Sequence, residues 1–284
     1  MPRRPRPPRT RVEIAAFEEA IRALVLANGP PLDCRSVFYL AESQEPGAPG
    51  HCEKTERDEK QRVRPALLAL RRTGRLSWDA IVDETRPVDH VAGFRSVKDA
   101  LEQLAGATLD FWEGRDDRPA IFVEKLGLVE VIAPVTRHWG VPLQPLRGDP
   151  SDSALYRLVR DYLTDKSTVY LFSDLDGKGE GSIYTATARK LRDQFGCRAK
   201  VVRVALTPAQ VKRYHLSTRP PKKGDTRAYA VELNALLPGV LRGLVDACIR
   251  RHVDEDEWQA HLRRVEEFQA RLRQLAQAEP EGRL

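Results

Sequence analysis

The sequence predicts an α/β protein: a mostly parallel sheet, preceded by a mainly helical module and followed by one long helix. Three observations predict it. Short apolar runs alternate with helix-length amphipathic segments between residues 119 and 205, the pattern of a parallel sheet with helices on both faces. Residues 13–95 instead carry three segments with helical apolar spacing. From Asp254 to Gln277, Trp258, Leu262, Val265, Phe268, Leu272 and Leu275 fall on one face of a single helix, and such a stripe must be buried.

Ile14, Phe17, Ile21, Leu24 and Val25 predict a first helix over 13–28, stopped by Gly29-Pro30-Pro31. A short second helix is expected through Arg35–Leu40. A third, from about Lys54 to Arg72, carries Lys60, Arg62, Arg64, Arg71 and Arg72, with Pro65 expected to kink or split it. Residues 74–78 and 80–83 read as a hairpin or a short extended segment. Three helices and a wing in this order suggest a winged helix, whose third helix enters the DNA major groove. Arg62, Arg64, Arg71 and Arg72 are then the expected DNA contacts, and the alternative is a small helical domain with solvated arginines. A connector helix is expected in the 96–118 stretch. Strands follow at 120–123, from 141, at 168–172 and at 199–205, with helices over 128–138, 153–163 and 183–195. The units expected are an arm (1–12), the winged-helix-like module (13–95), the connector (96–118), the α/β domain (119–253) and the C-terminal helix and tail (254–284).

Composition narrows the function. The net charge is +6, yet residues 1–12 hold five arginines and no acid, leaving a nearly neutral body. Four prolines make that arm a poor helix former, and its charge suits phosphates, so DNA is the expected partner. No apolar run approaches the roughly 20 residues that span a bilayer, and no apolar segment follows the basic start, so no membrane association and no secretion are expected. Four scattered cysteines (Cys34, Cys52, Cys197, Cys248) lack zinc-site spacing, which predicts a reduced, cytoplasmic setting. The six histidines lack metal-ligand spacing and, with Trp139 and Trp258, read as surface or packing residues.

The chemistry-bearing segment is Ser173-Asp174-Leu175-Asp176-Gly177-Lys178-Gly179, directly after the apolar strand 168–172. Sites in open α/β sheets gather beyond the carboxyl ends of strands. Residues two apart in extended chain face the same side, so Asp174 and Asp176 can share one cation, while Gly177 and Gly179 permit a tight turn close to a phosphate. Glu124 ends strand 120–123 in the same way. If the two strands are neighbours, three carboxylates meet, and oxygen ligands in that number suit Mg²⁺ or Mn²⁺. Lys125 and Lys178 would stand beside the ion and steady phosphate charge, or be solvent-facing neighbours.

These two acidic motifs resemble those of the Toprim fold, a Rossmann-like α/β fold, in the version found in the A subunit of topoisomerase VI and the meiotic double-strand-break proteins. Ile121-Phe122-Val123-Glu124-Lys125 is similar to that family's first strand, which ends in glutamate and lysine. Ser173–Gly179 is similar to its D-x-D-P-x-G segment, with Gly177 in place of proline and a path to Ile183 one residue longer. Arg147–Ser151, Lys222–Arg227 and Val231–Leu236 resemble later segments more loosely, so the likeness spans roughly residues 30–250. The resemblance implies a metal site on Glu124, Asp174 and Asp176. It also implies a winged helix whose tyrosine attacks the DNA backbone, in a motif similar to Arg35-Ser36-Val37-Phe38-Tyr39. Tyr39 would be the nucleophile, with Arg35 or the metal lowering a phenol pKa that ordinarily lies near ~10; Ser36 stands where the family has an acid.

Two mechanisms stay open: reversible cleavage through a 5′-phosphotyrosyl link, with a homodimer cutting both strands, or metal-assisted hydrolysis with Tyr39 as a core residue. A non-catalytic DNA-binding protein is the alternative of another class. No ATPase subunit sequence and no Walker glycine loop is present, so any ATPase would be a separate partner. A form as compact as this suits a mobile element, phage or defence locus. For the C-terminal helix, packing on its own chain is expected ahead of a dimer seam.

Overall fold

The computed structural model describes residues 9–82, 93–146, 151–177, 183–221, 225 and 227–279. Helix α1 (Arg11–Ala27) begins two residues earlier than the apolar spacing predicts, because Thr10 and Glu13 form a reciprocal capping box that satisfies the first backbone N–H groups. The expected arm therefore ends by residue 10, and residues 1–8 lie outside the described part. Phe17, Ile21 and Val25 are buried; Gly29 turns the chain with a left-handed φ of 65°.

Strand β1 (Leu32–Asp33) leads into helix α2 (Cys34–Glu42), whose first turn is capped by the Asp33 carboxylate accepting from the Ser36 N–H at 3.0 Å. The third helical segment runs as α3 (Glu56–Asp58), a π-helical turn (Glu59–Val63) and α4 (Arg64–Arg72). Where Pro65 is expected to kink or split the segment, the chain changes from π to α geometry at Arg64 and runs on. The wider π turn falls just ahead of the proline, and the ring sits in the first turn of α4, where its missing N–H costs least. Of the two readings for 74–83, the extended one is found. Strand β2 (Ile81–Val82) pairs in parallel with β1, and residues 74–78 form no hairpin with it. Residues 83–92 lie outside the described part.

Helix α5 (Val97–Leu104) connects to a four-stranded sheet of β3 (Pro119–Val123), β4 (Leu143–Pro145), β5 (Thr168–Phe172) and β6 (Lys200–Ala205). The order is β4-β3-β5-β6 and every pairing is parallel. Between the strands run α6 (Val129–His138), α7 (Asp152–Asp161) and α8 (Tyr184–Arg189), the last continuing into a π-helical turn (Lys190–Gln194). Alternation along the strands divides the core in two. Ile121, Val123, Tyr170 and Phe172 face one apolar cluster, and Ala120, Phe122, Val169 and Leu171 the other. The first cluster continues without a break into the N-terminal helices through Phe17, Ile21, Val37 and Leu67. Both sheet faces are therefore covered, as a parallel sheet requires.

After α9 (Pro208–Arg213), α10 (Pro238–Ile249) lies against α6, and α11 (Glu255–Ala278) runs beside α5. Trp258 is buried between Phe111 and Trp139, with ring centroids 5.0 and 4.5 Å away, so the start of the long helix packs on its own chain. Val265 is buried too, while Leu275 at the far end of the expected stripe is exposed. No helix among the described residues is long and apolar enough to cross a membrane.

Phe122 is wholly buried in the second cluster, and Phe122→Ala is expected to cost about 3–5 kcal/mol in denaturant unfolding. His261 is buried and stacked on Trp258. Burial, with Arg264 nearby, holds its pKa below the ordinary value. A depressed folded-state pKa gives stability that is present above the unfolded value of ~6.5 and lost as pH falls through the folded one. The histidine contribution to the melting temperature should therefore fall between about pH 7 and pH 5, against the opposite trend of any carboxyl whose pKa is raised. In His261→Phe that slope should be shallower but not absent, since His252 is depressed in the same direction.

Candidate active site

Because β3 and β5 are hydrogen-bonded neighbours, Glu124 and the Asp174–Asp176 segment leave the sheet at the same edge. The Glu124 N–H continues the ladder to the Phe172 carbonyl at 2.9 Å, and the Asp174 N–H donates to Glu124 Oε2 at 2.9 Å. The segment is held on its other side as well. Leu175 and Val231 exchange two backbone hydrogen bonds of 2.9 and 3.0 Å, and Leu233 N–H donates to Asp174 Oδ1 at 2.9 Å. Lys125 Nζ reaches Asp174 Oδ2 at 2.8 Å, and Asp176, also buried, has the Arg219 guanidinium 3.7 Å away. The three expected carboxylates are thus brought to one edge, with Lys125 among them.

Their electrostatics reflect the crowding. Burial raises the Glu124 carboxyl above its ordinary value, and the charges of Asp174 and Asp176 raise it further. For Lys125, burial opposes the charged form, but Asp174, Glu232 and Glu124 outweigh it and hold the ammonium above its usual range. Among the described residues no three His, Cys, Asp or Glu side chains are arranged to hold a metal ion as they stand; both Asp174 oxygens are engaged, one by a backbone N–H and one by Lys125. The donor chemistry nonetheless fits a hard divalent cation: all-oxygen groups whose mutual repulsion a positive charge relieves. Lys125 supplies part of that charge here.

Sequence reasoning missed the residue that ties this edge to the N-terminal helices. Glu232, after the Leu175–Val231 bridge, receives Arg35 in two hydrogen bonds of 2.9 and 3.0 Å, and Arg219 Nε lies 3.6 Å away. Burial opposes its ionisation, yet Lys125, Arg35 and Arg219 keep its pKa below the usual carboxylate range. Arg35 also bonds Glu59 at 2.8 Å, and Arg64 binds the other Glu59 oxygen at 2.7 Å. Nothing in Val231-Glu232-Leu233 beyond an acid between apolar residues marks this role. Nearby, Asn234 donates to Asp33 at 3.0 Å, and Gly127 is required because a Cβ there would meet the Asp33 carboxylate at 2.8 Å.

Tyr39 lies on α2, one turn after Arg35, and is only 5% exposed. Burial pushes its phenol well above the ordinary range and Glu232 adds to this; Arg35 opposes the shift without reversing it. Arg35, expected with the metal as the cation that activates Tyr39, is held by Glu232 and Glu59 and lowers the phenol pKa by less than burial raises it.

The expected DNA-contacting arginines divide. Arg62 turns inward, bonded to Asp58 at 2.9 Å and packed over Phe17 at 4.5 Å. Arg71 lies over Trp78 at 4.9 Å. Arg64 and Arg72 are exposed. Lys178, Gly179 and residues 147–150 lie outside the described part. At Gly177, expected to let a phosphate come close, the N–H donates to Asp225 Oδ2 at 2.8 Å.

Compared with known proteins, the chain matches no family model and no curated protein.

The raised Glu124 carboxyl has a stability sign. An acid whose folded pKa lies above its unfolded one gives stability that is present below the unfolded value and lost as pH rises through the folded one. Glu124→Gln, which keeps an acceptor for the Asp174 N–H, should therefore raise the melting temperature of the metal-free protein at neutral pH. Added Mg²⁺ or Mn²⁺ should raise the wild-type melting temperature, and raise it less in the variant.

Proposed function

We propose that this protein cleaves DNA strands with the help of a divalent metal ion, as a Toprim-like α/β unit preceded by a winged-helix-like module. One observation carries the reading: two neighbouring parallel strands deliver Glu124, Asp174 and Asp176 to one edge, where Lys125, Arg35 and Arg219 supply positive charge. Acids that would hold a hard cation, beside bases that would hold a phosphate, are what phosphodiester cleavage needs. Glu124, Asp174 and Asp176 would hold Mg²⁺ or Mn²⁺, which when bound polarises the phosphodiester. Lys125 and Arg219 would bind the non-bridging oxygens. Glu124 would orient an attacking water, which would give up its proton to solvent. That water's oxygen forms the new bond to phosphorus, the bond to the leaving sugar oxygen breaks, and this oxygen takes a proton from solvent.

Burial and the raised pKa of Tyr39 favour water over the phenol as nucleophile. The covalent route is a second reading, because Tyr39 lines two cavities; there, the Tyr39 oxygen would lose its proton to solvent and bond to phosphorus, the bond to the 3′ sugar oxygen would break with that oxygen taking a proton, and two copies of the chain would cut both strands.

The test is cleavage of end-labelled supercoiled DNA with Mg²⁺ or Mn²⁺, denatured with and without protease. Glu124→Ala and Asp174→Ala should each lower cleavage by at least about 100-fold, the scale of losing one transition-state contact; full activity in either refutes the metal assignment. Free ends that persist in Tyr39→Phe support hydrolysis, and protein-linked ends lost in that variant support the covalent route. Binding without cleavage under either metal would leave a DNA-binding protein and refute the enzyme.

A further inference from the structure

Two cavities meet at Tyr39, and they differ in chemistry. One, of about 700 Å³, runs between α2, the π turn and residues 218–220. Its lining includes five cations (Arg35, Lys54, Lys60, Arg64, Arg219) against three acids (Glu56, Glu59, Glu232). Such an excess suits a phosphate backbone. The other, of about 390 Å³, shares Tyr39 and lies between α2 and the segments 214–217 and 234–240. Its walls are mainly apolar and aromatic, from Leu40, Tyr214, Leu216, Leu236 and Leu237, and they include Glu42 but no lysine or arginine. Its one basic side chain is His215, so a phosphate meets no lysine or arginine there. The volume falls near the bottom of the ~300–1,000 Å³ range of small-ligand sites, which suits one planar group and not a peptide helix. Ser36 and Asn234 bring a hydroxyl and an amide to the wall, enough to meet a polar edge. Tyr214 is half-buried, with the Arg213 guanidinium 5.5 Å from its ring centroid.

We infer that the smaller cavity seats one unpaired base of a DNA strand whose backbone lies in the basic channel that shares Tyr39 with it. The inference rests on the DNA-cleaving reading and adds a substrate class to it: strands with a looped-out or unpaired nucleotide. A paired base inside a duplex cannot enter an enclosed pocket without leaving its stack, and a bulged or single-stranded base pays least to do so. Stacking on an aromatic ring tolerates any base, so the selection is for strand structure and not for sequence.

The test is fluorescence anisotropy in metal-free buffer with three duplexes of equal length: fully paired, carrying one bulged 2-aminopurine, and carrying a bulged abasic site. The bulged base should bind about tenfold more tightly than the paired or abasic duplex, the scale of one stacked base, and 2-aminopurine emission should change on binding. Tyr214→Ala and the rim substitution Leu237→Asp should each remove that preference while leaving paired-duplex affinity unchanged, and Tyr214→Trp should retain it. Equal affinity for all three duplexes, or an unchanged preference in both Tyr214→Ala and Leu237→Asp, overturns the base seat while DNA binding stands. Absence of binding to every duplex, with Ca²⁺ added as well as without metal, overturns the DNA reading itself.

Discussion

Folding of this chain draws charged side chains from four separate segments into one partly buried patch, and the strand edge depends on how they neutralise one another. Glu124 and Asp174 come from adjacent strands, Arg35 from α2, and Glu232 and Arg219 from the segment after α9. A carboxylate stripped of water is costly unless paired and hydrogen-bonded. Asp174 meets that condition with a backbone N–H on one oxygen and Lys125 on the other. Glu232 meets it with a two-point contact from Arg35, the planar geometry for which arginine is better suited than lysine.

The same contacts join the two halves of the molecule. Arg35 is fixed to Glu59 in the N-terminal helices and to Glu232 at the sheet edge, while Asp33 caps α2 and accepts from Asn234. Arg35 is itself partly exposed, so solvent screens the pair and its net stabilisation is modest. What it contributes is placement: the hydrophobic core beneath, continuous from Phe17 to Trp258, holds the halves together, and the polar contacts above it set how α2 and Tyr39 face the acidic edge.

Much of this was legible in the sequence, for identifiable reasons. Strand β5 stood out because a β-branched threonine and four apolar residues, two of them aromatic, lie between turn residues, and the acids after β3 and β5 followed from strand ends alone. The π turns at 59–63 and 190–194 were not legible, since extra backbone width has no side-chain signature. Nor was the parallel pairing of Ile81–Val82 with Leu32–Asp33: two-residue strands carry no periodicity, and their partners are about 50 residues apart. Glu232 escaped notice because its importance lies in partners distant in sequence. The contacts of Arg62 were not legible either, since a basic residue on a helix reads as solvent-facing until Asp58 and Phe17 are seen beside it.

The arrangement around Tyr39 also bears on how a substrate would enter. The cations suited to a phosphate are already occupied by the protein's own acids: Lys125 by Asp174, Arg35 by Glu232 and Glu59, and Arg64 by Glu59. A phosphodiester arriving here competes with carboxylates that are fixed in place, so its binding energy is the difference between two charge-paired states and not the full attraction of a bare basic groove. Exchange of that kind favours a ligand that adds something the carboxylates lack. A divalent ion at the acidic edge would do so by releasing Lys125 from Asp174, and a strand that also fills the apolar cavity would do so by burying a base. Metal, phosphate and base would then reinforce one another, each lowering the cost of displacing contacts that hold the resting edge closed.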